Sequence, residues 1–555
     1  MKDKIQSLTD AALEKFCKQQ NVALPKNFSY QTTVPKDKQF GDFSVNVAFR
    51  LAKIAKQAPA QIAKELIEIL RQDMQSNKDL KGAITKVDLA AGYINFHAST
   101  EAMSSIVMRV RKEGKKFGCS DFGQKKKVLV EFVSANPTGP LTIAHGRQAC
   151  VGDALVRVLT AAGFCADAEY YLNDRGRQMM LLGKSVWARY QQQQGKKCDL
   201  PEDGYQGDYI NDLAKEAGQK YATKIQSISE DEACELMRQF AQEKIMNQIK
   251  DDLREIDVYF THYQSEKKLF EEKKIEKALE VLQKKKMIYD QDGAQWFEST
   301  KFGDDKNRVL KKSDGDYTYL MPDIAYHQDK IARGYEQLVN LWGPDHHGYV
   351  ARIKASIEAL GHKKEQLHVI LVQLTTLYRK GKPFRMSTRK GQFITLKELI
   401  NEVGADATRF FFLMRRTDTH LDFDLELAKQ KSQDNPVYYL QYAHARICNV
   451  IKFAEQNVPD QANLSSLNAP EEMDVLKLLS KFPEVVISAA NQYEPFVIGD
   501  FLRTLAAAFH KFYTFHRVVS DNQEQTQARL MLVDAVRIVL ANGLALLGVS
   551  QPESM

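Results

Sequence analysis

A chain of 555 residues is longer than one hydrophobic core usually supports, so two to four domains are expected. Apolar residues at 44% and only 15 prolines exclude a disordered or fibrous chain. The formal charge of +7, from 78 basic and 71 acidic residues, is a mild bias that suits an RNA partner and equally suits none.

The chain opens Met1-Lys-Asp-Lys-Ile-Gln, without the apolar run of a signal peptide, and no later stretch approaches a membrane span. A soluble cytoplasmic protein is expected. Residues 1–120 read as one α+β unit. It has an amphipathic helix near 8–16, a Pro/Lys-rich segment from Val34 and helices near 45–55 and 62–74. β-like stretches at 83–87 and 93–96 follow, then a basic helix from Met103 that gives out in the Gly-containing run 114–118. A second unit, 121–430, begins with Lys125-Lys-Lys-Val-Leu-Val-Glu-Phe-Val133, an apolar run short enough to be a buried parallel strand. Val151, Ala154, Leu155, Val158, Leu159 and Ala162 then form a 3.6-residue stripe stopped by Gly163. A strand at 166–172 completes a βαβ unit, which predicts a doubly wound, Rossmann-type parallel sheet.

From about 180 to 290 the sequence is charged and helical, an expected insertion into the sheet domain, and its Gln191-Gln-Gln-Gln194 run reads as a solvated face. Strand-like segments return at 337–342 and 367–372. From 431 to 555 the pattern is helix only, which predicts an antiparallel all-α bundle. The seven cysteines are dispersed, with no CxxC pair; this fits reduced thiols and argues against a disulfide framework or a zinc knuckle.

Two stretches carry the chemistry. The first is Ser134-Ala-Asn-Pro-Thr-Gly-Pro-Leu-Thr-Ile-Ala-His145-Gly-Arg147. Pro137, Gly139 and Pro140 break the strand, and the following helix start offers free backbone N–H groups to a phosphate. His145 adds a donor there, and Gly146 offers no Cβ against a nucleotide. Alone, the same residues read more readily as a surface loop with a capping histidine. The second is Tyr378-Arg-Lys-Gly-Lys-Pro-Phe-Arg-Met-Ser-Thr-Arg389-Lys-Gly391, a cation-dense loop suited to charge moving onto pyrophosphate, or else a solvated basic turn.

Asp316-Tyr-Thr-Tyr319-Leu-Met-Pro-Asp323 offers a carboxylate that would suit a guanidinium, with Tyr319 beside it. A helix cap plus a core ring is the plainer alternative. Asp345-His346-His347-Gly348 lacks a third ligand at metal spacing, so no structural metal is expected and the histidines read as pocket lining.

Together these motifs resemble the paired signatures of class I aminoacyl-tRNA synthetases. Tyr170-Tyr-Leu-Asn-Asp-Arg-Gly-Arg-Gln, Trp342-Gly-Pro-Asp-His-His-Gly-Tyr-Val, Ala405-Asp-Ala-Thr-Arg409 and Asp434-Asn-Pro-Val-Tyr-Tyr-Leu-Gln-Tyr resemble the arginyl-tRNA synthetase family, as does Gly41-Asp42-Phe43. The resemblance implies an ATP-dependent ligase that forms arginyl-adenylate and transfers arginine to tRNA(Arg), with Mg²⁺-ATP as substrate and the chain a monomer. It implies that Thr142, His145, Gly146, Met386, Ser387 and Thr388 bind ATP, and that Glu131, Ser134, Asn136, Tyr319, Asp323 and His347 bind arginine. It places His145, Thr142, Lys127, Arg385 and Arg389 in catalysis. The 1–120 unit would meet the tRNA elbow and the helical bundle the anticodon, with Tyr438, Tyr442 and Arg446 on the RNA; at helical spacing the two tyrosines read equally as core.

Two departures stand out. The HxGH signature of class I enzymes is here Thr142-Ile-Ala144-His145, and Thr388 stands where many members have lysine; the family resemblance implies a lysine upstream of the first motif in its place, Lys127 or a neighbour in Lys125-Lys126-Lys127. Losing one transition-state donor costs about 3–4 kcal/mol. A catalytically weakened paralogue acting as an RNA-binding protein is the competing expectation; a cysteine-specific enzyme is disfavoured, for want of a zinc-ligand set.

Overall fold

The structure is a computed structural model that describes residues 2–33, 35, 37–76, 82–384, 394–454 and 458–555. Helix Lys2–Gln19 buries Ile5, Leu8, Ala12 and Phe16, one stripe at helical spacing, against helices Val47–Ala55 and Pro59–Ser76. These cover an antiparallel sheet ordered Thr32–Thr33, Phe43–Val45, Tyr93–Ala98, Ile84–Ala90. This unit has its own apolar core and docks on the C-terminal helices through ion pairs Lys477–Asp42 (2.7 Å) and Lys2–Glu484 (2.5 Å). The next helix, Thr100–Glu113, packs its Val107 and Val110 into the larger core instead. Its Arg111 is paired with Asp534 at 3.0 Å.

The central sheet is parallel throughout, with strands in the order Leu367–Leu371, Gln337–Trp342, Lys127–Glu131, Cys165–Leu172, His262–Ser265. Val128, Leu129 and Val130 are buried on both faces, as the unbroken apolar run requires. The crossover helix Ile143–Ala161 packs behind the sheet, and Gly163 ends that segment at φ +90.

Helices Arg177–Gln193, Asp208–Ile225 and Glu230–Glu255 form the insertion. The expected insertion span to about 290 is interrupted by the sheet's fifth strand, His262–Ser265. As a short edge strand, its His-Tyr-Gln-Ser sequence lacks the apolar signal of an interior one. A small antiparallel sheet, Ile288–Gln291, Ala294–Phe297 and Arg308–Lys311, follows.

Helices Pro436–Phe453, Pro470–Gln492, Phe496–Phe515 and Gln523–Leu546 make the C-terminal bundle, which shares one apolar core with the sheet domain. The buried Arg409 guanidinium pins this junction by donating to the Leu547 carbonyl (2.8 Å) and to Asp153 Oδ2 (2.5 Å). Among the described residues no helix is long and apolar enough to cross a membrane.

Candidate active site

The sheet winds outward in both directions from Lys127–Glu131, so the loops leaving the C-terminal ends of that strand and of Gln337–Trp342 part company. A cavity of about 510 Å³ opens there, lined among others by Glu131, Ser134, Asn136, His145, Asp323 and Asn340. The chain reaches it through a strained bend. Val133 and Ser134 lie at φ 66 and 41, a conformation costly for a β-branched residue. That bend turns the Ser134 hydroxyl back to donate to Glu131 Oε1 (3.1 Å) while accepting the Tyr171 N–H (3.1 Å).

One face of helix Leu320–Ala332 supplies the opposite wall. Asp323, Tyr326, His327 and Lys330 fall at i, i+3, i+4 and i+7, a polar stripe in a largely buried helix. Lys330, fully buried, binds Glu131 Oε2 at 2.5 Å and donates to Asn340 Oδ1 at 3.1 Å. The Asn340 amide donates to His327 Nε2 (2.9 Å), and His327 Nδ1–H donates to the Asp323 carbonyl (2.8 Å). Burial holds the His327 imidazole down at about 3, so the ring is neutral and serves as a relay of fixed direction.

The Asp323 carboxylate meets the cavity and accepts the Tyr349 hydroxyl at 2.6 Å. Burial pushes it up to about 7; Glu131 and Glu266 add to that rise, while Tyr349 and Lys330 oppose it. Among the described residues no cationic side chain is paired with it. Behind it, Tyr326 donates to the buried Glu169 (2.6 Å), which also takes a two-pronged contact from Arg333 at 2.6 and 2.9 Å. Burial works to raise the Glu169 carboxyl, but Arg333 and Lys330 outweigh it and hold it below the usual range.

On the other rim, the Thr142 backbone N–H donates to His145 Nδ1 at 3.1 Å. Burial pushes that imidazole down to about 4, so it is neutral and its proton sits on Nε2. His145 is thus a neutral donor at a helix start, where a phosphate oxygen is favoured. The neighbouring Arg147 is buried and donates to the carbonyls of Gln373 (2.8 Å), Arg416 (2.9 Å) and Thr419 (3.0 Å), which fixes the cavity-lining segment at Gln373.

Four expectations change. Lys127 is exposed at the N-terminal end of its strand, roughly 13 Å of extended chain from Glu131 and at the edge away from the cavity. Gly146 faces the core, where an added Cβ would meet Leu396 Cδ1 at 2.7 Å; it makes room for a leucine and not for a nucleotide. Tyr319 caps its helix and is 83% exposed, outside the cavity lining. His346 lines the cavity but His347 does not, because successive residues of the 3-10 helix Pro344–Tyr349 point about 120° apart. Arg385, Met386, Ser387, Thr388 and Arg389 lie outside the described residues.

Tyr438, Tyr442 and Arg446 come together on a partly exposed helix face, so the tyrosines are not core. The two rings stack 6.1 Å apart, and Arg446 lies over Tyr442 at 4.5 Å beside a groove of about 680 Å³. Sequence reasoning missed Lys330, Asn340, His327 and Tyr349. The polar i, i+4, i+7 spacing of Asp323, His327 and Lys330 was the signal available for two of them.

Comparison with known proteins agrees with this geometry. Residues 105–450 match the catalytic domain of class I (R) tRNA synthetases, and 440–555 match the DALR anticodon binding domain. The fold and the matched catalytic domain are those of a class I aminoacyl-tRNA synthetase. Residues 3–98 match the arginyl tRNA synthetase N-terminal domain. The arginine–tRNA ligase of Anoxybacillus flavithermus is 47% identical over 94% of this chain and 93% of its own. That of Geobacillus kaustophilus is 46% identical over 94% of each. The chain belongs to the arginyl-tRNA synthetase family. The arginyl-tRNA synthetase structure from Thermus thermophilus shares the fold, with a TM-score of 0.78 at 21% identity over all of both chains.

Proposed function

We propose that the chain is an active ATP-dependent arginine–tRNA ligase working in two steps. The carboxylate of bound L-arginine attacks the α-phosphorus of Mg²⁺-ATP, forming the mixed anhydride arginyl-adenylate and releasing pyrophosphate. A terminal ribose hydroxyl of tRNA(Arg) then attacks the arginyl carbonyl, forming the ester and releasing AMP. No side chain forms a covalent bond; placement and charge do the work.

The observation that carries the reading is Asp323: a carboxylate at the sheet's switch point, facing a cavity, with a tyrosine hydroxyl as its partner and, among the described residues, no cation paired with it. A guanidinium supplies the missing charge with planar paired donors. Glu131, Ser134 and Asn136 hold the amino-acid end of the ligand, and His145 Nε2–H serves the phosphates. Thr142 keeps His145 in the required tautomer through its backbone N–H, a contact that the Thr142 and Ala144 departures leave intact. Arg385 and Arg389 serve the departing pyrophosphate.

The chain acts as a cytoplasmic monomer, with the N-terminal unit and the helical bundle on the tRNA. Tyr438 and Tyr442 offer stacking surfaces for unpaired bases. The test is charging of a total tRNA pool with each of the twenty amino acids, beside ATP–pyrophosphate exchange with arginine with and without tRNA. Arginine alone is expected to be esterified; folded protein that neither exchanges nor charges rejects the assignment.

A further inference from the structure

The arginine pocket contains a cation of its own. Lys330 has no exposed side-chain surface, yet its ammonium lies 2.5 Å from Glu131 Oε2 and 3.1 Å from Asn340 Oδ1, with the Tyr326 ring 4.1 Å away. A lysine of this kind is costly to bury, so its placement calls for a compensating arrangement. Two lines of contact leave it. One ends on Glu131, at the end of the central strand. The other runs through the Asn340 amide and the neutral His327 ring to the backbone carbonyl of Asp323. Each donor in this second line is fixed by the one before it, so the chain has one direction.

We propose that Lys330 is a positioning residue for arginine: it neutralises Glu131 and braces the turn that bears Asp323, so that the ligand's guanidinium is directed to Asp323. This rests on the reading of Asp323 as the guanidinium partner. Without Lys330, two carboxylates facing one cavity would compete for the ligand's cations. With it, Asp323 is the one of these two carboxylates that has no cationic partner among the described residues. The groups that face Asp323 come from several elements. Glu131 and Tyr171 lie on sheet strands, Glu266 on helix Glu266–Glu271, and His327 and Lys330 on its own helix. Tyr349 comes from the 3-10 turn.

The experiment measures L-arginine binding to the full chain by calorimetry between pH 5 and 8. The parent is expected to lose affinity below the pH at which Asp323 takes up a proton. Lys330→Gln keeps hydrogen-bonding capacity and removes the charge; it should move that limb to higher pH by about one unit. Affinity at pH 7 should then fall by roughly fivefold. Glu131→Gln removes the opposite charge and should move the limb to lower pH. ATP affinity should stay unchanged in both.

Shifts of the same sign, or none, overturn the proposal. If one single variant does not fold, the sign of the other decides. If neither folds, the Glu131→Gln/Lys330→Gln double variant is expected to keep the parent's limb, and a limb displaced downward would show that Lys330 has no influence. Asp323→Asn separates the two levels. A limb that survives in Asp323→Asn removes the underlying reading, whereas a limb lost there but indifferent to Lys330 removes this inference alone.

Discussion

The Tyr349 hydroxyl donates to Asp323 Oδ2 at 2.6 Å, so the carboxylate proposed to read arginine is capped by a phenol where most buried acids are capped by a cation. A phenol favours the ionised acid less than a cation does, and burial leaves Asp323 at about 7. On the proposed pairing arginine binds the ionised form, so its dissociation constant should be flat above pH 7 and rise about tenfold per unit below it. The stability sign is the reverse of the usual carboxylate case. The folded carboxyl lies above its unfolded value, so the native state binds more protons between about 4 and 7, and stability falls as pH rises through that window. Asp323→Asn should therefore melt above the parent at pH 8 and level with it at pH 4, while weakening arginine by at least about 100-fold, since a buried charged contact is worth about 3 kcal/mol or more. Equal melting at both pH values would contradict the raised carboxyl.

His145 offers a neutral N–H, and at about 4 its imidazole does not titrate in the working range. The activation rate should thus show no limb from this ring between pH 5.5 and 8. His145→Ala removes a donor that strengthens as phosphate charge develops, so kcat should fall about 10²–10³-fold with little change in the ATP KM. A loss carried mainly by KM would mark His145 as a ground-state contact. Thr142→Val removes the Oγ1 contact to His145 Nδ1 (3.1 Å) but keeps the backbone N–H on the same nitrogen, so it should cost under about tenfold. Thr142→His should gain little for the same reason.

Much of the sheet was legible because interior strands must be apolar on both faces. The runs at 127–131, 337–342 and 367–371 announce themselves, and the 151–162 stripe is buried as its spacing requires. The edge strand His262–Ser265 gave no such signal, and neither did the short strands of the 288–311 sheet. The cavity lining was legible where a residue sits on a loop after a strand, as with Ser134, Asn136 and His145. It was opaque where the partner sits one or two helical turns away and shows no motif, as with Lys330, or arrives from another element, as with Tyr349 and Asn340. Gly146 misled for a related reason: a glycine in a phosphate-binding loop and a glycine under a leucine look identical in sequence.

Gly146→Ala separates those two meanings. The added methyl would meet Leu396 Cδ1 at 2.7 Å and Phe412 Cε2 at 3.1 Å, an overpacked contact expected to cost about 1–3 kcal/mol. Urea unfolding should report that loss, and Leu396→Ala in the same chain should recover part of it. The ATP KM should stay within about twofold of the parent. A tenfold rise in that KM with stability unchanged would restore the idea that the glycine admits the nucleotide.

Arg446 is held between two rings, 4.5 Å from Tyr442 and 5.2 Å from Tyr513, and its Nη2 donates to the Tyr442 hydroxyl at 2.5 Å. Phe453, 76% exposed, lines the same groove. An apolar ring left in water next to a clamped guanidinium makes a stacking platform whose charge also meets phosphate. Each stacked base is worth about 1–3 kcal/mol. Tyr442→Ala should therefore raise the tRNA KM roughly 10–100-fold. Arg446→Ala should do the same by freeing Tyr442, and should also flatten the salt dependence by about one counterion. Arginine binding should be untouched in both variants, because the groove lies on the bundle and the arginine cavity lies at the sheet. The double variant should cost less than the sum of the singles, since the ring and the guanidinium hold one another in place. Strict additivity would mean that the two side chains meet the RNA separately and that their stacking in the free protein is incidental.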